Sequence, residues 1–400
     1  MRTRLLLAAV TAMLAGGQTK TVTDAEVMRV HRSTLLIDTH NDVPSRTVEG
    51  FDIGSRTGTG HTDIGRLKEG GVGAQFFAVY VAASYVNGNR SANRTLQMID
   101  TVRHDIVDRY PNDFVLATSA KDIEEAHRKG KIAALMGIEG GHAIEDSLRL
   151  LRDYYDLGVR YMTLTHSNTN NWADSSGDVT DAQVKHHDGL TDFGKQVVRE
   201  MNRLGMMVDI SHVADKTFWD ALEASKAPIF ASHSSCRALT SHARNMTDDM
   251  IMALAKKGGV VQVNFYCGFI SQKFRDNDAA DTKALDARMA QETAGKNLSE
   301  PDRQILSEKL RKEMGLSRAT LADVVDHIDH IRKIAGIDAI GLGGDFDGVS
   351  CTPIGLDDVS KYPNLTRVLL EKGYSAEDIR KIYGGNFLRV MRAVEAAAGK

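Results

Sequence analysis

The sequence predicts an α/β protein, a closed (β/α)8 barrel of the TIM type, and two observations point there. Eight short apolar runs recur along the 400 residues, most of them separated by segments with helical periodicity. The runs are continuous rather than alternating in hydrophobicity, as strands covered on both faces of a parallel sheet are. An open doubly wound sheet is the alternative topology. Its support is the glycine cluster GLGGDFDG (341–348), and no carboxylate follows at the spacing a nucleotide ribose requires.

In chain order the runs are TLLID (34–38), AQFFAVYV (74–81), IAALMGIE (132–139), RYMTLTH (160–166), MMVDISH (206–212), PIFASH (228–233), GVVQVNFY (259–266) and AIGLGGD (339–345). Between them, 190–205 carries apolar residues at helical spacing and ends on Gly205. Segment 246–259 has Thr247 to cap its start, acids in its first turn, lysines in its last and glycines to stop it. Segment 320–336 repeats the pattern. Two regions stand outside the alternation. The stretch 271–317 is rich in charge and helix formers, with Ser299, Pro301 and Asp302 resembling a helix start, and is expected to be a helical insertion between the seventh and eighth strands. The C-terminal SAEDIRKIYGGNFLRVMRAVEAAAGK is expected to be a docking helix pair broken at Gly384 and Gly385.

Composition excludes several classes. With 42% hydrophobic and 26% charged residues, the chain is that of a soluble globular protein, and its net charge of −3 gives no electrostatic case for nucleic acid or an anionic membrane. Cys236, Cys267 and Cys351 are too few and too spread for a disulfide framework or a cysteine zinc site, and no bridge is expected. Arg2 and Arg4 precede LLLAAVTAMLA and then AGG, the layout of a signal peptide over 1–17. That apolar run is too short for a stable membrane anchor, and the mature chain is expected to be exported to the periplasm or medium.

Chemistry-bearing residues fall at the ends of the predicted strands. His40 and Asp42 end the first, Glu139 the third, His166 the fourth, His212 the fifth, His233 the sixth and Asp345 the eighth. In a barrel of this type every C-terminal strand end opens onto one face, where active sites are built. His40 and Asp42, two apart in an extended segment, point the same way. Other candidates fit less well. His61 and Asp63 repeat the H-x-D spacing but follow GSRTGTG, a loop, and are set aside as a decoy. His186 and His187 have the surroundings of a solvated surface run, and His142 lies beyond the glycines, outside the ligand set.

Three imidazoles and two carboxylates form a mixed N/O set suited to zinc or a similar borderline ion. Five ligands oversupply one ion but serve two, with His40 and Asp42 on one, His212 and His233 on the other, and Glu139 bridging. Such a pair can hold a bridging hydroxide and polarise a carbonyl, so the expected activity is hydrolysis, carried by one metallo-hydrolase domain over 18–400.

The motifs DTHND, GIEGGHAI, LTHSNTNNWADS, GLTDFGKQVVREMNRLGMMVDISHV, ASHSS, RNMTDDM and GLGGDFDGV, in this order from about residue 25 to 395, resemble those of the membrane (renal) dipeptidase family of the amidohydrolase superfamily. The resemblance implies a dipeptide substrate, two zinc ions on the five ligands above, and a homodimer. It also implies that His166 holds the scissile carbonyl oxygen and that Arg244 grips the substrate's C-terminal carboxylate. Asp345 moves the proton from the attacking hydroxide to the leaving amine, with Asp347 as its rival. Members of the family often accept a C-terminal D-residue. Unlike mammalian members, this chain ends in EAAAGK, with no hydrophobic tail. The competing functions are a metal hydrolase for another amide, such as an N-acyl amino acid, and an inactive binding relative.

Overall fold

The structure, a computed structural model, describes residues 21–399; the expected signal peptide lies outside them. Among the described residues nine parallel strands are formed: β1 (Leu36–Asn41), β2 (Val72–Tyr80), β3 (Phe114–Leu116), β4 (Ile132–Glu139), β5 (Val159–Thr163), β6 (Met207–Asp209), β7 (Phe230–Ser234), β8 (Val260–Val263) and β9 (Ile340–Leu342). Their order is β2-β1-β9-β8-β7-β6-β5-β4, and pairing of β2 with β4 closes the barrel. β3 was not foreseen. It pairs Phe114 with Ile132 and Leu116 with Ala134 along the first half of β4, and β5 takes over from Met136. Three residues carry too little apolar periodicity to be seen in a sequence.

The helices start and stop where local chemistry dictates. The Thr191 side chain accepts the Gly194 amide at the head of helix Asp192–Leu204, and Gly205 ends it in the left-handed region at φ 78°. Thr247 caps Asp248–Lys256 by accepting the Met250 amide. Thr320 and Asp323 form a reciprocal capping box at the start of Leu321–Ala335. All residues of β1 and β4 are buried, as the continuous apolar runs require.

The C-terminal segment departs from the expected broken pair. Helix Ala376–Arg380 passes through a π-helical turn, Lys381–Gly385, straight into helix Asn386–Ala397. Gly384 serves close approach rather than a break, since a Cβ there would lie 2.3 Å from the Leu35 carbonyl oxygen. The final helix plugs the barrel from below: the Phe387 ring lies 5.3 Å from Phe76 and 5.9 Å from Phe230. Above them Tyr161 packs 5.1 Å from Phe76 and fills the gap left by Gly137, where a Cβ would lie 1.9 Å from the Tyr161 ring.

Segment 271–317 holds helices Gln272–Thr293 and Glu300–Glu313, the second capped by Ser299 as expected. Its buried Glu308 bonds the His61 ring at 2.5 Å and the Thr352 hydroxyl at 2.5 Å. His61, set aside as a loop residue, is thus buried and clamps the inserted helix, while Asp63 caps helix Ile64–Glu69. Contrary to expectation, Cys267 and Cys351 form a disulfide with Cα atoms 5.6 Å apart, and Cys236 is free and buried. The fold closes an 84-residue separation that spacing alone could not reveal. His187 is half-buried, its ring bonding the Asn170 carbonyl at 2.8 Å, so the KHHD run is not a freely solvated one.

Candidate active site

At the C-terminal mouth of the barrel the predicted residues converge. His40 and His233 lie within their strands, Glu139 is the last residue of β4 and Asp42 follows β1 directly. His166, His212 and Asp345 each sit three residues beyond a strand, the last two in left-handed conformation at φ 67° and 59°. Backbone bonds from Asp345 N to the His40 carbonyl (3.1 Å) and from Asp42 N to the Phe346 carbonyl (2.8 Å) lace the first and last barrel strands together here.

Glu139 Oε1 is the meeting point. It lies 3.0 Å from His212 Nε2, 3.2 Å from His233 Nε2 and 3.5 Å from His40 Nε2. His212 and His233 Nε2 are 3.0 Å apart, and Asp42 Oδ2 is 3.3 Å from His40 Nε2. Two triads, His40–Asp42–Glu139 and His212–His233–Glu139, therefore share one carboxylate oxygen. His166 Nε2 stands farther off, 3.9 Å from that oxygen. The donors also combine otherwise, since atoms of His40, His233 and Asp345 all lie within 4.8 Å of one another.

Hydrogen bonds set the imidazole tautomers. The Tyr161 hydroxyl donates to the Thr39 carbonyl (3.0 Å), so at 2.9 Å it can only accept from His40 Nδ1–H. The Ser232 hydroxyl donates to Asp209 (2.6 Å) and accepts from His233 Nδ1–H (2.7 Å). Both rings thus turn Nε2 toward Glu139, and that of His40 is buried without a hydrogen-bond partner. Burial holds His212 and His233 well below the usual histidine range, in the neutral form that ligates metal. At His40 burial acts the same way but is outweighed by Tyr161 and the carboxylates of Glu139 and Asp42, which call for a positive charge at Nε2. Ring nitrogens converging on buried carboxylates, with a positive charge called for at His40, fit metal ions.

The residues orienting the rings, Tyr161, Asp209 and Ser232, escaped the sequence reading. Asp209 interrupting the apolar run MMVDISH was the available signal. Its buried carboxylate also accepts from Thr163, from the Ser232 amide (2.8 Å) and from the Ser211 amide (3.0 Å).

A cavity of about 440 Å³ opens over this cluster, with Asp42, Glu139, His166, His212 and Asp345 in its wall. Burial pushes the Asp345 carboxyl up to about 8, and its Oδ2 accepts from Asn264 at 2.8 Å. Burial also lowers His166, leaving a neutral ring. Arg244 is brought beside the cluster but does not line the cavity. Its guanidinium donates to the Ser234 hydroxyl (2.6 Å) and the His233 carbonyl (2.7 Å) and stands 5.6 Å from the ring of Phe269, which does line it. Its Nε is buried without a partner, and burial lowers its pKa to about 10. Asp347, the rival to Asp345, accepts from the His61 amide (2.9 Å) and Arg46 (3.3 Å). His142 is buried and bonds the Val81 carbonyl at 2.9 Å, outside both triads.

Comparison with known proteins agrees with this geometry. A sequence model of the membrane dipeptidases (peptidase family M19) matches residues 24–400. The probable dipeptidase PvdM from Pseudomonas aeruginosa superposes with a TM-score of 0.77 at 26% identity, over 94% of this chain and 99% of that one. The dipeptidase AC, a metallopeptidase of family M19, gives 0.73 at 25% identity, over 90% of this chain and 99% of that one. A metallopeptidase from Rhodobacter sphaeroides, solved with a phosphinate mimic of the dipeptide L-Ala-D-Ala, gives 0.72 at 24%, covering 90% of this chain and all of that one, and speaks for the fold. The chain belongs to the membrane dipeptidase family and is a metallo-dipeptidase.

Proposed function

We propose that the protein hydrolyses the peptide bond of dipeptides, including those with a C-terminal D-residue, with two zinc ions. The observation that carries this reading is the pair of triads sharing Glu139 Oε1. His40 and Asp42 would hold one ion, His212 and His233 the other, and Glu139 both. Bound zinc supplies Lewis acidity, acidifying water and polarising the carbonyl. The protein's own groups do the rest. His166, a neutral ring at the cavity wall, donates an N–H to the carbonyl oxygen as negative charge develops on it. Asp345, fixed through Oδ2 by Asn264, would be ionised once bound cations offset the burial that raises it; it then takes the proton on Oδ1 and passes it to the departing amine. Arg244 attracts the substrate's C-terminal carboxylate from beneath the Phe269 side of the cavity. Export through the N-terminal segment and homodimer assembly belong to the same reading.

The test is metal analysis of the purified protein together with hydrolysis of L-Ala-L-Ala, L-Ala-D-Ala and acetyl-Ala-Ala. Two zinc per chain with cleavage restricted to free-amine dipeptides is the expected result. Preference for the acetylated compound would move the protein to the N-acyl amino acid hydrolases. Stoichiometric metal without hydrolysis of any of the three would make it a binding relative.

A further inference from the structure

One side of the cavity carries acidic groups that the reaction above does not use. Glu49, just past helix Pro44–Thr47, and Glu300, the first residue of the inserted helix Glu300–Glu313, both line it and both are exposed. Asp347 lines the same side, 94% buried, and its Oδ2 has no hydrogen-bond partner. So does Ser45, 91% buried, whose hydroxyl is likewise without one. Tyr80 and Tyr85 add aromatic surface. Among the described residues Arg94 is the only lysine or arginine in the cavity wall.

The placement around the barrel decides what meets these groups. Glu49 follows β1 and Asp347 follows β9, neighbouring strands, whereas Arg244 follows β7. A dipeptide whose carboxylate is drawn toward Arg244 extends away from β7, and β9 and β1 lie two and three strands round the barrel from it.

Resting on the dipeptidase reading, we propose that Glu49 and Glu300 form a specificity subsite for a cationic side chain, lysine or arginine, on the substrate's N-terminal residue. The aromatic rings pack its alkyl stem, and the carboxylates accept hydrogen bonds from its charged end. The segment 271–317 thereby contributes to substrate selection.

The test uses the metal-loaded enzyme and compares kcat/KM for Lys-Ala, norleucyl-Ala and Glu-Ala, each with L- and D-alanine. Lysine and norleucine have side chains of nearly equal length, so their ratio isolates the charge. The expected ratio is roughly tenfold in favour of lysine, the worth of one charged hydrogen bond, with Glu-Ala poorest. In the double variant Glu49→Gln/Glu300→Gln the ratio falls toward one; because it is taken within one protein, general loss of activity cancels. Hydrolysis of all three without preference overturns the subsite and leaves the dipeptidase reading intact, as does a lysine preference that survives the double substitution. Hydrolysis of none refutes the dipeptidase reading and the subsite with it.

Discussion

Tyr161→Phe tests how the barrel interior supports the proposed metal site at His40 and Asp42. The ring is held between Phe76 at 5.1 Å and Phe230 at 5.5 Å, above Gly137, so phenylalanine occupies the same space. What disappears is the hydroxyl that accepts from His40 Nδ1–H at 2.9 Å. His40 is fully buried, leaving two outcomes. Either Nδ1–H stays without a partner, costing about 1–3 kcal/mol, or the proton moves to Nε2 and occupies the lone pair that faces Glu139. Both weaken metal at the His40–Asp42 position, by roughly 10- to 100-fold, the range for loss of a partner behind a ligating histidine. That range equals about 1.4–2.7 kcal/mol, in line with the hydrogen-bond cost. Titration of zinc against a chromophoric chelator measures both sites, and the expected curve weakens one ion while sparing the other. Thermal unfolding of the metal-free protein is the control: the ring can exchange tautomers there, so it reports separately the lost bond to the Thr39 carbonyl, about 1–3 kcal/mol. Zinc affinities within twofold of wild type at both sites, in a folded variant, would mean that the hydroxyl does not set the His40 tautomer.

Replacing both Cys267 and Cys351 by serine should lower stability by about 3 kcal/mol, somewhat below the chain-entropy figure for so long a loop. The urea midpoint reports it, and an unchanged midpoint argues that the bridge adds nothing. Glu200 receives hydrogen bonds from Arg203 and Arg152, and these, with Arg203 foremost, hold its carboxyl down at about 2 against an ordinary 4.5. A depressed carboxyl stabilises the fold above its unfolded pKa and loses that contribution as pH falls through the folded value. Glu200→Gln should therefore cost about 1 kcal/mol near pH 7, after allowing for the solvent exposure of both arginines. The cost should shrink as pH falls below 4.5, so chemical denaturation at several pH values that finds it constant would count against the pair. Arg244→Ala should raise KM for free-acid dipeptides by tenfold or more while sparing their amides; equal loss on both would remove its role in holding the carboxylate.

The barrel was legible in the sequence, and so were most of the polar residues that gather at its mouth. Strands buried on both faces must be continuously apolar, so a polar residue ending such a run is conspicuous. That made His40, Asp42, Glu139, His212 and His233 legible across nearly two hundred positions. Helix ends were legible for a related reason, because a cap such as Thr247 acts within four residues of its own backbone. Contacts between distant residues came into view with the folded chain. The Cys267–Cys351 bridge, the His61–Glu308 clamp and the Tyr161 support of His40 join residues 84 to 247 positions apart. None of them leaves a periodicity or local spacing to find. The same holds for the inserted helix, whose composition is that of any solvated segment until packing sets Glu300 in the cavity wall and Glu308 against His61 and Thr352. Local free energies write capping and burial into neighbouring residues, whereas closure of the chain alone determines which side chains share a site.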